Sequence, residues 1–277
     1  MDRHAELTPH GEILFTICKE KTVVSEYFIS EHVLAHIYSG SVSIAEAEKT
    51  YTFTEGDTLL LTRNLLAKFI NYPSDSAPFK SMLIIFKQHT LQEFYTGKKV
   101  KQIEKTSIGP VRSFVRHPSL NSLFNSLLPY YELNHTLPEE LITLKFREAI
   151  TILRNIDSKS DAVLSDFSEP GKIDLVTFMS KNFSFNIPVK RFAYLTGRSL
   201  AAFKRDFQKS FNTSPEKWLR QKRLERAHFL LQETGKRPSE VYLEVGFETF
   251  SHFSSAFKRW FGYSPSKIFQ KLSASNK

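Results

Sequence analysis

One repeat constrains this 277-residue chain more than anything else in it. Three phenylalanines at four-residue spacing occur twice, 50 positions apart. Phe203, Phe207 and Phe211 lie in YLTGRSLAAFKRDFQKSFNTSP, and Phe253, Phe257 and Phe261 lie in EVGFETFSHFSSAFKRWFGYSP. Residues at i, i+4 and i+8 share one face of a helix, so each copy predicts a helix with an aromatic stripe turned inward. Ser199 and Thr249 precede the stripes at matching positions and suit N-caps, while Ser214-Pro215 and Ser264-Pro265 each open a following helix. Upstream of each capped helix a short amphipathic segment, PVKRFAYL or PSEVYLEV, runs into a glycine, Gly197 or Gly246. Helix, glycine-containing turn, helix is the helix-turn-helix plan, whose second helix enters the major groove. Two unrelated helical hairpins in a bundle core would share neither frame nor phase, so the repeat is read as a duplicated supersecondary unit.

Charge points to the same end of the chain. The formal net charge is +9, with 38 Lys and Arg against 29 Asp and Glu. Residues 1–171 hold 18 basic and 21 acidic side chains, a net −3, and residues 172–277 hold 20 and 8, a net +12. A compact basic end on a near-neutral body implies a polyanionic partner for that end.

The rest of the chain has a different texture. From about Gly11 to Lys87, short β-rich runs such as ILFTICK, HVLAHIYS, TYTFTE and KSMLIIFK alternate with turns at Ser39-Gly40, Glu55-Gly56-Asp57 and Asn71-Tyr72-Pro73. That spacing predicts a sandwich or small barrel, with Gly56 as a left-handed turn residue. Helical patterns follow at His89–Tyr95, Ser119–Glu132 and Pro138–Ile156. In the last, Ile142, Phe146, Ala149, Ile150 and Leu153 form an apolar stripe that either packs on the β-domain or forms a dimer seam. The polar stretch DSKSDAVLSDFSEPGK, residues 157–172, is expected to be a linker. The expected fold is therefore α+β with two domains: a β-barrel or jelly roll plus helices over 1–156, and an all-α domain over 173–277.

No window approaches the roughly 20 apolar residues of a membrane span, and MDRHAELTPHGEILF lacks the basic-then-apolar plan of a signal peptide. The single cysteine, Cys18, gives no disulfide framework. A soluble, cytoplasmic protein without membrane partner is expected.

Residues 173–271 resemble the C-terminal DNA-binding domain of the AraC/XylS-type transcription regulators. The first copy carries the resemblance in IPVKRFAYLTGRS, DFQKSFNTSPEKWL and KRLERAHFLL, the second in its Gly-Phe pair, spaced aromatics, Phe-Lys and Gly-x-Ser-Pro exit. The resemblance implies two helix-turn-helix modules joined by a long helix carrying Trp218, Leu219, Leu224, Ala227, Leu230 and Leu231. Such a helix would set the modules about one DNA turn, roughly 34 Å, apart. Where the family usually has alanine four residues before the second turn glycine, this chain has Tyr242, which bears on the crossing of that helix pair.

With the phenylalanines inward, Leu200, Ala201, Lys204, Arg205 and Gln208 face outward in the first copy, and Ser251, His252 and Ser255 in the second. By resemblance, Ala201, Lys204, Arg205, Ser251, His252 and Ser255 fall on base-contacting positions. Lys and Arg can bond guanine and Gln can pair with adenine, so the better equipped first copy is expected to dominate base reading, with Gln208 included. Phe250 is a candidate for contact with a thymine methyl. Lys209, Lys258 and Arg259 are expected beside phosphates.

The strand-rich half resembles, mainly by its position, the cupin-like sensor barrel of these regulators. Tyr38, Tyr51, Phe53 and Phe69 are its candidate ligand-binding residues. His32 and His36 stand four apart with no His-x-His pair, and Lys68 falls where a late ligand would be sought, so neither a metal nor another cofactor is expected. A regulator with double-stranded DNA as partner, a small-molecule effector or protein partner, RNA polymerase as a further partner and a homodimeric state is expected, and no enzyme. The rivals are a DNA-binding-tailed enzyme, cupin-type or alkyl-transferring, for which Cys18 lacks the neighbours a polarised nucleophile needs, and a purely architectural DNA binder.

Overall fold

The computed structural model describes residues 3–6, 12–47, 49–100, 109–133 and 136–268. The chain divides into two units, Met1–Ser168 and Glu169–Lys277.

In the first unit, alternation of apolar residues builds two antiparallel sheets. The larger runs in the order β1 (Arg3–Glu6), β2 (Ile13–Cys18), β9 (Phe79–Phe86), β4 (His32–Ser39), β7 (Asp57–Leu61), β10 (Val111–Val115). The smaller runs β3 (Thr22–Ile29), β8 (Leu65–Tyr72), β5 (Ser41–Ala45), β6 (Thr50–Thr54). Among the described residues no ladder joins the two sheets, so the unit takes the open two-sheet form of the expected architecture rather than a closed barrel. Gly56 sits at φ +87°, the left-handed turn expected before β7.

Period-two alternation sends the residues of β4 to two different cores. Val33, Ala35 and Ile37 join Val42, Ile44, Phe53, Leu59 and Leu65 between the sheets. Leu34, with Ile13, Phe15, Leu60, Met82 and Ile84, turns to the opposite face. That face is covered by α1 (Gln88–Tyr95), α2 (Pro118–Asn125), α4 (Glu139–Ile156) and α5 (Ser158–Leu164), with the short α3 (Leu128–Glu132) beside them. Of the two roles open to the α4 stripe, packing is the one observed. Phe146, Ala149, Ile150 and Leu153 are buried in the unit's own core, Phe146 against Phe86 at 5.9 Å, so this stripe is not a free dimer seam.

The stretch expected as linker is partly ordered into this unit. Asp157 caps α5 through the Lys159 and Ser160 amides and takes a 2.7 Å bond from Arg112 Nε. One turn later, Asp161 accepts from Tyr95 Oη at 2.7 Å and pairs with Arg154 at 2.8 Å. These bonds hold residues 157–164 on α4 and β10, and the division between units falls after Ser168.

The second unit is helical throughout its described part: α6 (Leu175–Asn182), α7 (Val189–Leu195), α8 (Leu200–Phe211), α9 (Pro215–Glu233), α10 (Pro238–Glu244) and α11 (Phe250–Phe261). Residues 269–277 of the expected domain lie outside the described residues. Two small cores hold it together. Phe203 and Phe207 are fully buried with Phe192, Ala193, Met179, Trp218 and Leu219. Phe253 and Phe257 are fully buried with Leu224, Ala227, Leu230, Leu231, Val241, Val245 and Phe247. A single helix, α9, gives its first turns to one core and its later turns to the other. At a rise of about 1.5 Å per residue, Trp218 and Leu231 lie roughly 20 Å apart along it.

Candidate nucleic-acid interface

The two outward helices are built alike, cap for cap. Ser199 Oγ accepts from the Ala202 amide and Thr249 Oγ1 from the His252 amide, each at 3.3 Å. At the other end, Asn212 (φ +52°) and Gly262 (φ +84°) close α8 and α11 in the left-handed conformation. The turns before them use the same hydrogen bonds. Gly197 N donates to Tyr194 O and Arg198 N to Ala193 O, while Gly246 N donates to Leu243 O and Phe247 N to Tyr242 O. Both glycines have positive φ, and both are pressed on backbone: a Cβ on Gly197 would stand 2.4 Å from the Gly171 carbonyl carbon, and one on Gly246 2.4 Å from Ser184 O. Neither position admits another residue without displacing main chain.

The repeat also contains a step that the phenylalanine spacing hides. α7 and α10 are offset by 49 residues, α8 and α11 by 50, so the second turn carries one extra residue. The turns are held by different chemistry. In the first, Arg198 bonds the Ile173 and Thr196 carbonyls and Asp206, and its guanidinium holds the Asp206 carboxyl below the usual carboxylate range. In the second, Phe247 is buried and packs edge-on against Phe253 at 5.3 Å. Tyr242, the departure from the family pattern, leaves the turn's backbone bonds intact. Its ring meets Phe250 edge-on at 5.8 Å, so it braces the start of α11 from behind.

Ala201, Lys204, Arg205, Gln208 and Lys209 are all exposed on α8, and Ser251, His252, Ser255, Lys258 and Arg259 on α11. The two faces are not equivalent. By the 50-residue offset Ser251 and Ser255 match Ala201 and Arg205, but Lys204 matches the half-buried Ser254, Gln208 matches Lys258, and His252 matches Ala202. Lys204 Nζ lies 3.7 Å from Glu216 in a solvent-exposed pair, and the exposed Arg205 Nε lies 3.6 Å from the half-buried Asp206, both long contacts of the weak kind that a phosphate or base edge can displace. Among the described residues, Lys209, Lys258 and Arg259 make no ion pair. Phe250 remains 40% exposed and Leu200 38% at the first positions of the two helices, apolar surface suited to a thymine methyl. Residue spacing alone could not reveal the pairing of Lys204, because Glu216 lies on the next helix, α9.

The first unit holds a second candidate site, an apolar cavity of about 500 Å³ between the sheets, walled by Ile37, Ile44, Leu59, Leu83 and Ile85 among others. Of the four expected ligand residues, Phe69 alone lines it. Tyr38 points to the opposite face of its sheet, where its hydroxyl donates to Phe124 O at 2.8 Å. Tyr51 stacks on Phe53 at 6.2 Å with Lys49 over its ring, and Phe53 is core. The cavity has a polar patch that aromatic residues could not signal: Ser30, Glu31 and Lys87. Burial pushes the Glu31 carboxyl up, against the pull of Lys87, Arg63 and His89, and its Oε2 is buried without a hydrogen bond. His32 and His36 are committed elsewhere, His32 Nδ1 accepting from the Arg63 amide at 3.1 Å and His36 Nδ1 bonded to Thr58 Oγ1 at 2.8 Å. Among the described residues no three His, Cys, Asp or Glu side chains gather as a metal site would require, and no helix is long and apolar enough to cross a membrane.

Residues 192–271 match a helix-turn-helix domain family and residues 32–163 match the ExsA N-terminal regulatory domain. The virulence regulon transcriptional activator VirF of Yersinia enterocolitica is 26% identical over 245 residues, covering 86% of this chain and 89% of that protein. The transcriptional regulator ExsA of Pseudomonas aeruginosa is 22% identical over 262 residues, 93% of each chain. Among solved structures, an apo ToxT variant from Vibrio cholerae is similar over 93% of this chain and 97% of its own, at 14% identity and a TM-score of 0.47.

Proposed function

Because the chain belongs to the AraC-type transcription regulators, a non-enzymatic family of DNA-binding proteins, we propose that its two modules read adjacent major-groove segments from one face. The observation that carries this reading is the duplicated helix, with a hydroxyl N-cap and a left-handed C-cap in each copy, whose phenylalanines are locked inward while Lys204, Arg205 and Gln208 stand exposed. In this reading α8 supplies most base discrimination, and the short side chains of Ser251 and Ser255 leave α11 to apolar, histidine and backbone contacts. Replacing Lys204 and Arg205 together by alanine is expected to weaken preference for the cognate site sharply, since each good bidentate pair contributes about 1–3 kcal/mol of discrimination. Competition binding against randomised DNA measures this. Retained preference with only a shallower salt dependence would reject the assignment of readers.

The relatives bearing the name activator support a role in activation; we further propose RNA polymerase as a partner, a cytoplasmic location and a homodimeric state. The first unit is the regulatory domain. Its inter-sheet cavity suits an effector with an apolar body and a hydrogen-bond donor directed at Glu31; a protein partner docking on the same unit is the other form of regulation.

A further inference from the structure

The joining helix does more than space the modules. Lys217, Arg220, Gln221 and Leu224 fall at i, i+3, i+4 and i+7 on α9, and His252, Ser255, Ala256 and Arg259 repeat that spacing on α11. The two stripes line a cleft of about 380 Å³, with Trp260 also in its wall. Leu224 and Ala256 are buried at its floor, and Lys217, Arg220 and Arg259 are exposed at its rim. Among the described residues no carboxylate lines it.

Part of the basic surface of this unit is neutralised by its own carboxylates, and the cleft is not. Lys204, Arg198, Lys222 and Lys236 each have an acidic partner, Glu216, Asp206, Glu225 and Glu244 respectively. Among the described residues none of Lys217, Arg220 and Arg259 does. Three unneutralised cations around a concave site repel one another at a cost that a bound anion removes. The half-exposed Trp260 adds an indole N–H and a flat ring at the edge.

We propose that this cleft seats a phosphodiester of the DNA backbone between the two major-groove segments, with Lys217 and Arg220 as positioning residues that touch no base. The proposal rests on the two-module reading of DNA and deepens it. The α9 wall leaves the first module directly and the α11 wall is the second module's outward helix. A phosphate held by both therefore fixes their common register on the duplex, a role that phosphate contacts fill without reading sequence.

The test uses the full chain with Lys217→Ala and Arg220→Ala together, and compares site-specific and randomised duplexes across a salt series. Both residues are exposed, so an unchanged thermal midpoint is expected and checks the fold. Removal of one shared phosphate contact should lower the magnitude of the log K against log salt slope by about 0.9 on both duplexes. The ratio of specific to random binding at a fixed salt concentration should stay within about twofold, since the lost contact is common to both. Exchanging the cations, Lys217→Arg with Arg220→Lys, should restore the slope. An unchanged slope in the double variant, with a wild type that binds its site specifically, overturns the phosphate seat alone. A changed base preference makes these residues readers and overturns it too. Absence of specific binding by the wild type overturns the two-module reading with it. Inorganic phosphate serves as the second arm: phosphate-specific quenching of Trp260 fluorescence, with an unchanged DNA salt slope in the double variant, assigns the cleft to a free phosphate and again overturns the proposal.

Discussion

Gly246 and Gly262 are both left-handed, yet only one of them is hemmed in by backbone. A Cβ on Gly246 would collide with Ser184 O, whereas one on Gly262 would meet nothing within 4 Å. Gly262→Ala is therefore expected to cost only the conformational term, about 1 kcal/mol, and Gly246→Ala that term plus displacement of the 183–185 loop, which Arg223 pins to α9 through the Phe183 and Phe185 carbonyls. Gly262→Asn should be near neutral, because Asn212 already fills the equivalent cap in α8 at φ +52°. Urea unfolding of the three variants measures the order, and equal losses for the two alanine variants would contradict it. At this scale the caps and buried phenylalanines were legible, since both follow from local spacing. The ion pair of Lys204 with Glu216, the brace of Tyr242 on Phe250 and the cleft between α9 and α11 were not, because each brings together residues of different elements.

At the scale of elements, β4 carries two histidines whose burial makes the first unit acid-sensitive. Burial lowers the pKa of His36 from its ordinary 6.5 to about 4, against the pull of Asp57, and that of His32 to about 3. An unfolded chain takes up these protons near pH 6.5 and the folded one does not, so stability present above pH 6.5 is lost as pH falls towards 4. For His36 the loss levels off below that point. Between pH 7 and pH 5 the expected loss is on the order of 1–2 kcal/mol per histidine. The urea midpoint of the first unit should fall accordingly, and less so in His36→Gln. A midpoint that holds between pH 7 and pH 5 would show that the histidines are not held neutral by the fold. The strands from β2 to β9 could be read from alternation, but β1 and β10 could not. β10 is a half-exposed edge strand with Arg112 and Ser113 inside it, and only its pairing with β7 makes it a strand. α5 was hidden for a related reason: its polar sequence reads as a loop until Asp157, Arg112, Arg154 and Tyr95 are brought together.

Across the whole molecule, the sequence divided where its chemistry divides: a near-neutral, two-sheet unit and a basic helical one with a net +12 over residues 172–277. The duplicated module was legible because it repeats, and the sensor site was not, because a cavity is made of residues that individually look like core. Of the expected ligand residues only Phe69 reached it. The central claim is that two rigidly joined modules read DNA at two places on one face. Selection of bound sequences from a random duplex library by the full chain tests it most directly. The account predicts two specified segments with centres about 10–10.5 base pairs apart. The segment read through Lys204 and Arg205 should be the more sharply specified and should weaken sharply on their joint replacement by alanine. A single specified segment, or two whose spacing varies freely, would contradict it.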